Sequence, residues 1–381
     1  MTTEDDVPAP FTVKLSALRI RALDAPLTSV RASTARVVRR AQHVHIDSAA
    51  LAALTRSLTT RQTQPLAWQE LGWHYHADAE TAGPLTCQYA LVLDALNFCF
   101  WPTPGLEYEH LARGLRRALE RDPTAFNAQA LASVSPATVA GWVDCPSPPS
   151  PSHLSTSTPP TGPGPATGAR GTSPPSSPAS SPPSSFLPCL SERVRKVREV
   201  GHVLLQHFNG QAADLVRASG FSAVELVRLL SAFFPSFRDE ALHQGEQVYF
   251  YKRAQILVAD IWAAYGCRTD PPFPYAFRDM GELTMFADYR VPQILRGRGV
   301  LRYAPGLAER VDGREELPAG SEEEVEIRAA TVQAVESMRE VWRAGGKGEI
   351  LSVELDWLLW QEGERYRDSL PPHHRTLSIF Y

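Results

Sequence analysis

One segment of this chain is apolar around most of its circumference. In "YFYKRAQILVADIWAAYG", Tyr249 to Gly266, helical spacing puts Leu257, Ile261 and Tyr265 on one face and Val258 and Trp262 on the next. A helix with so little polar surface belongs at the centre of a domain, with other elements around it. Asp260 interrupts it, and Lys252 and Arg253 stand at its start. Cations at a helix N-terminus oppose the macrodipole. Two readings follow. A bound anion such as a phosphate relieves the conflict, or both side chains snorkel to solvent.

The neighbouring patterns are helical as well. "SERVRKVREVGHVLLQHF" sets Val194, Val197, Leu204 and Phe208 on one stripe with basic residues opposite. "FSAVELVRLLSAFFP" carries Ser222 three residues before Glu225, a capping-box spacing, and stops at Pro235. "SEEEVEIRAATVQAVESMREVWRAGG" repeats the device with Ser321 and Glu324 and ends at Gly345-Gly346. "SVELDWLLWQEGERYR" is a shorter candidate near the C-terminus. Alternating strand patterns with Asn-Gly or Asp-Gly turns are scarce, so the fold class is mainly α.

Residues 145–187 differ from all of this. The run is dominated by proline, serine, glycine and threonine and has almost no apolar side chains to bury. It reads as a disordered Pro/Ser-rich insertion. A tolerated loop is its plainer role, and an SH3 or WW ligand the sharper one. The expected organisation is a variable N-terminal segment at 1–40 and one helical domain formed by 41–144 and 188–381.

The formal net charge of -4 and the lack of a basic stripe argue against duplex nucleic acid as the main partner. Five scattered cysteines without a C-x-x-C argue against a disulfide framework and a zinc site. The acidic "MTTEDDVPAPF" is unlike a signal peptide, and "YALVLDALNFCFW" is too short and too polar to span a bilayer. The expectation is a soluble protein of the cytoplasm or nucleus, with neither a metal nor a cofactor. G-x-G-x-x-G, Walker A, G-x-S-x-G and H-E-x-x-H are all missing from the sequence.

Several polar residues sit where chemistry could use them. In "LTMFADYRVPQIL", Asp288 is set among aromatic and apolar residues. It is either a helix cap or ion-pair partner, or a catalytic carboxylate on an aromatic-walled pocket. Asp94 and Asn97 are three apart, a spacing that shares a helix face. They hold a neighbour in register or contact a ligand. Asp356 and Trp360 are four apart, an acid beside an indole, although Trp357 and Trp360 also suit core anchors. His74 and His76 do not share a helix face and lack a third ligand nearby, which speaks against a metal.

Taken together, "LVLDALNFCFW", "FFPSFRD", "FYKRAQILVAD", "ELTMFADYRVPQIL", "EVEIRA" and "LDWLLW" resemble the queuosine salvage family in order and spacing. Its members are queuosine 5'-phosphate N-glycosylases. The resemblance runs from about Trp68 to Tyr381, outside the Pro/Ser tract. It implies a single, mainly α domain that looks like the DNA glycosylase fold, and cleavage of the N-glycosidic bond of queuosine 5'-phosphate. The product is queuine, a 7-deazaguanine with an aminomethyl-cyclopentenediol arm, reused in tRNA modification. Carried over by motif, Asp288 is the catalytic carboxylate, and Met285 and Phe286 are base contacts. His74 is a ligand contact, with His76 competing for that role. Asp356 is an acid on the base, and Gln361 stands where some members have Asp. Phosphate remains the anion for Lys252 and Arg253.

The implied chemistry suits these residue types. Glycoside cleavage passes through an oxocarbenium-like sugar, which a carboxylate stabilises or attacks. A 7-deaza base lacks N7, so its leaving has to be assisted elsewhere. Two rival readings are a nucleic-acid base-excision glycosylase on the same fold and a non-catalytic scaffold working through the Pro/Ser tract. The insertion reading predicts that deleting about Pro146 to Ser184 leaves melting temperature and turnover nearly unchanged. A loss of several degrees, or of most of the activity, would overturn it.

Overall fold

The structure, a computed structural model, describes residues 26–60, 68–76, 83–145, 187–268 and 275–381. All but the two end residues of the expected insertion, Cys145 and Leu187, lie outside the described residues, as do the first 25 residues of the expected N-terminal segment. In chain order the first elements are α1 (Pro26–Arg40), β1 (Val44–Ile46), α2 (Ser48–Thr60), α3 (Gly83–Leu96), α4 (Tyr108–Arg121), α5 (Ala128–Ala132) and α6 (Pro136–Gly141). Then come α7 (Leu190–His207), α8 (Ala212–Ala218), α9 (Ala223–Phe233), β2 (Glu240–His243), β3 (Glu246–Tyr249) and α10 (Lys252–Ala264). The chain finishes with α11 (Arg290–Gly297), β4 (Leu301–Tyr303), α12 (Pro305–Asp312), α13 (Glu322–Ala344) and α14 (Ser352–Tyr366). The protein is mainly helical.

The all-round apolar helix is central, as its sequence requires. Every residue of α10 is buried except Ile256, which is half-buried. It packs on α3 and α9, while α3 also packs on α7 and α1 on α13, so helices from either side of residues 146–186 share one core. Gly201 of α7 sits where a β-carbon would meet the Ala128 carbonyl at 2.6 Å, which lets α5 and α7 cross closely. Among the described residues no helix is long and apolar enough to cross a membrane.

The caps form at the expected serines but only by halves. Ser222 and Ser321 accept from the backbone N–H groups of Glu225 and Glu324 (3.1 and 3.3 Å). The glutamate side chains go elsewhere: Glu225 pairs with Arg228, and Glu324 accepts from Gly320 N–H and the Tyr381 hydroxyl. The α7 stripe is buried as expected, but the basic residues are not all opposite it. Arg193 and Lys196 are fully buried, and Arg193 donates to the carbonyls of Leu96, Phe98 and Cys99 just past α3. Helix α3 stops at Leu96, so Asn97 lies beyond it and does not share its face with Asp94.

Two small antiparallel ladders complete the fold. β1 pairs with β4 in the register Val44↔Tyr303, and β2 with β3 in the register Glu240↔Tyr249. The β2–β3 hairpin turns on Gln244 and Gly245, both at positive φ, the requirement of a type I′ turn.

A buried ion pair joins these parts. Asp239 and Arg328 meet through two hydrogen bonds, Nη1–Oδ1 at 3.0 Å and Nη2–Oδ2 at 2.6 Å. Removing one partner of such a pair costs about 3–5 kcal/mol, and without Asp239 the buried Arg328 keeps only the longer contact to Glu324, at 3.5 Å, among the described carboxylates. Asp239→Ala should lose about that much in a denaturant titration, and a loss below about 1 kcal/mol would show the pair to be dispensable.

Candidate functional site

A cavity of about 960 Å³ opens beside α10, at the upper end of the range for small-molecule sites. Lys252, Ile256 and Asp260 line it from α10, one helical turn apart. Phe286 and Asp288 enter from the loop before α11, Asp356 and Gln361 from α14, and Tyr108 from the start of α4. The wall is aromatic: Trp357 lies parallel to Trp262 (centroids 6.2 Å apart), and Trp360 meets Tyr108 edge-on.

Asp288 divides its two oxygens between two tasks. Oδ1 accepts from the backbone N–H groups of Arg290 and Val291, both at 3.0 Å, and so caps the first turn of α11. Oδ2 has no hydrogen bond among the described residues, and the residue keeps part of its surface open to the cavity. Both sequence readings of this acid, cap and pocket carboxylate, therefore describe its position.

Four carboxyls and one lysine act on one another in and beside the cavity. Burial pushes the Asp288 carboxyl up, against the pull of the Lys252 charge and the Val291 N–H. Burial pushes Asp356 well above the usual carboxylate range, and the charge on Asp288 adds to it. Asp94, which has no exposed surface, is pushed up to about 7 by burial, with Lys252 opposing. Asp260 is raised by burial and then by Asp94. Burial lowers Lys252 itself, while Asp288 and Asp94 pull it back toward the charged form. Its Nζ donates to the Asn97 carbonyl at 3.3 Å.

Lys252, Phe286, Asp288, Asp356 and Gln361 thus line one cavity. Asp356 Oδ1 accepts from the Phe286 N–H at 2.9 Å, which fixes the aromatic ring's backbone to the acid. His74 stands one layer back. It is buried, stacks on Trp68 at 3.7 Å and meets the Tyr108 hydroxyl through Nε2 at 2.9 Å. Burial holds it neutral, down to about 4. His76 is exposed. Met285 is fully buried and does not line the cavity.

Arg253 is not brought to the cavity. Its guanidinium donates to the carbonyls of Asp94 (3.1 Å), Ala95 (2.9 Å) and Ser236. Neither cation at the start of α10 snorkels: Lys252 and Arg253 are both buried. The conflict with the α10 macrodipole is met by the C-terminal carbonyls of α3, a negative helix end, rather than by an anion at Arg253.

Sequence reasoning missed Tyr108, Arg290 and the place of Asp260 in this cavity. "EYEH" gave no periodic signal, and Tyr108 sits at the first position of α4. Arg290 lines the cavity but is held by Glu364 (2.5 Å), Gln293 (2.7 Å) and Glu107 (3.4 Å). Asp260 stood out only as a polar interruption, and nothing in the sequence said which face of the helix would be open.

Two known proteins are similar to this chain over nearly its whole length, and a third over half of it. A protein of Dictyostelium discoideum named queuosine 5'-phosphate N-glycosylase/hydrolase is 41% identical over 364 residues, covering 93% of this chain and 99% of that protein. One of the same name from Sphaerobacter thermophilus is 41% identical over 363 residues, covering 92% and 97%. A third, from Mus musculus, is 41% identical over 203 residues, covering 51% and 59%. The family described as queuosine salvage protein matches residues 74–151 and 179–381. Those two stretches hold every cavity residue from Asn97 to Tyr381, and with relatives aligned almost end to end they make this chain a member of the queuosine salvage protein family.

Proposed function

We propose that this protein hydrolyses the N-glycosidic bond of queuosine 5'-phosphate and releases queuine for tRNA-modification salvage. Family membership and the names of the relatives support the reaction. The observation that carries the mechanism is Asp288, with one oxygen anchored on α11 and the other free beside an aromatic wall. The base lies against Phe286, with Asp356 accepting from its amine edge. Asp288 then sits beneath the anomeric carbon, where it stabilises or attacks the sugar cation as the bond breaks; water then adds its hydroxyl to that carbon and its proton goes to the departing base. His74 orients Tyr108 at the wall, Met285 backs Phe286, and Gln361 contacts the base from α14.

Lys252 is assigned to the 5'-phosphate. It is a buried cation on the cavity wall without a carboxylate in hydrogen-bond reach among the described residues, and a phosphate handle supplies remote binding energy. We also propose that the helical scaffold is a variant of the DNA glycosylase fold; failure of α9–α14 to superpose on such a protein would exclude this.

Asp288→Asn keeps an oxygen for the α11 cap and removes the charge. kcat should fall at least about a thousandfold, on the order of 4 kcal/mol, while queuine still binds and the melting temperature holds or rises. Asp288→Ala should also lose the cap, at about 0.5–2 kcal/mol of stability. A folded Asp288→Asn protein with near-normal turnover would end the catalytic assignment, and activity on a damaged oligonucleotide instead of queuosine 5'-phosphate would favour the base-excision reading.

For Lys252→Ala, KM should rise much more for the 5'-phosphate than for unphosphorylated queuosine. The loss of a charged hydrogen bond sets the scale at about 1.5–3 kcal/mol. Equal effects on the two substrates would place the phosphate elsewhere.

A further inference from the structure

Two acids of the cavity region have no part in that mechanism. Asp260 is 5% exposed and lines the cavity, and its Oδ2 has no hydrogen-bond partner among the described residues. Asp94 lies behind it, fully buried. Its Oδ1 accepts weakly from the Asn97 amide at 3.4 Å and its Oδ2 has no partner among the described residues. Buried carboxyl oxygens without donors are rare in folded proteins, and each such group calls for an explanation.

The groups facing this pair come from four helices. They are Lys252 and Arg253 on α10, Asp356 on α14, Tyr108 on α4 and Tyr89 on α3. Lys252 and Arg253 are the cations among them, and both spend their donors on backbone: the Lys252 ammonium on the Asn97 carbonyl, the Arg253 guanidinium on the carbonyls of Asp94 and Ala95.

We propose that the Asp94–Asp260 pair is the subsite for a cationic amine on the ligand, with Asp260 in direct contact and Asp94 behind it. With Lys252 and Arg253 both hydrogen-bonded to backbone carbonyls, two neighbouring carboxyls in a dry site do not both ionise, so the unliganded pair retains a proton. A monocation replaces that proton and gives the orphaned Oδ2 a charge-assisted donor. A neutral heterocycle edge supplies donors without the charge, and an anion is repelled.

The inference rests on the substrate reading above, because that substrate carries one secondary amine, on its cyclopentenediol arm. Asp260 is eight residues from Lys252, about 12 Å along α10. Asp288 acts on Lys252 and Asp356, whereas Asp260 is influenced by Asp94, Lys252 and Asp356. Along α10 the Asp260 subsite is thus set two turns from Lys252, the residue on which Asp288 acts.

The test is calorimetric titration of the full chain with queuine and with 7-deazaguanine, which lacks the arm, in buffers of different ionisation enthalpy. The wild type should prefer queuine by at least about thirtyfold and release a proton on binding it. Asp260→Asn should lose most of that preference with little change toward 7-deazaguanine. Asp94→Asn should keep the preference but abolish proton release, because Asp260 then ionises without a rival. Equal weakening of both ligands in Asp260→Asn, an unchanged preference there, or proton release persisting in Asp94→Asn would overturn the assignment. Wild-type turnover of queuosine 5'-phosphate, measured on the same sample, decides the substrate reading separately.

Discussion

The arrangement of the cavity depends on one buried ion pair. Asp239 follows the short 3-10 turn at Pro235–Phe237, and its backbone carbonyl accepts from Phe250 and Tyr251. Its carboxylate holds Arg328 and also takes the Lys252 N–H at 3.1 Å, so it caps α10 from outside the helix. Arg328 donates through Nε to the Ala287 carbonyl at 3.0 Å, and its plane lies between the rings of Phe250 and Tyr381. The start of α10, the residue before Asp288 and the Tyr381 wall are therefore fixed to one another by a single guanidinium. A buried pair of this kind adds little net stability over a hydrophobic replacement. What it supplies here is position: three cavity walls share one anchor.

Buried arginines elsewhere serve helix ends. Arg253 and Arg193 bring their guanidinium groups to the last carbonyls of α3 and to the backbone just beyond it. These are groups that the helix itself leaves without partners. A positive charge is favourable there, since the C-terminal end of a helix is its negative end. The segment from Asp94 to Cys99 is held in this way on one side, and Asn97 and Phe98 present their other side to the cavity.

How much was legible in the sequence depended on whether the signal was local. The central helix, the Ser222 and Ser321 caps and the Gly345-Gly346 stop follow from spacing and backbone chemistry within a few residues, and the structure has all of them. The β2–β3 hairpin was not legible, because Gln-Gly stands where Asn-Gly or Asp-Gly would be the recognisable turn. The fate of Arg193, Lys196 and Arg253 was not legible either. A charged side chain on a helix pattern reads as solvent-facing, and only the arrival of another helix end or aromatic ring gives it a buried place. The motif acids came together at the cavity, yet the local pattern could not separate cap from site at Asp288, and it could not show which side of α10 would face open space.

The division of labour within the Asp288 carboxylate limits how this position can drift. Its capping oxygen makes an acceptor obligatory for α11, whatever becomes of the other oxygen. Asparagine satisfies that demand without a charge, and apolar residues do not. A duplicated copy of such a chain, released from selection for chemistry but still needed as a folded protein, would therefore have a narrow exit at this site. Asparagine is the replacement to look for as the mark of a silent paralogue.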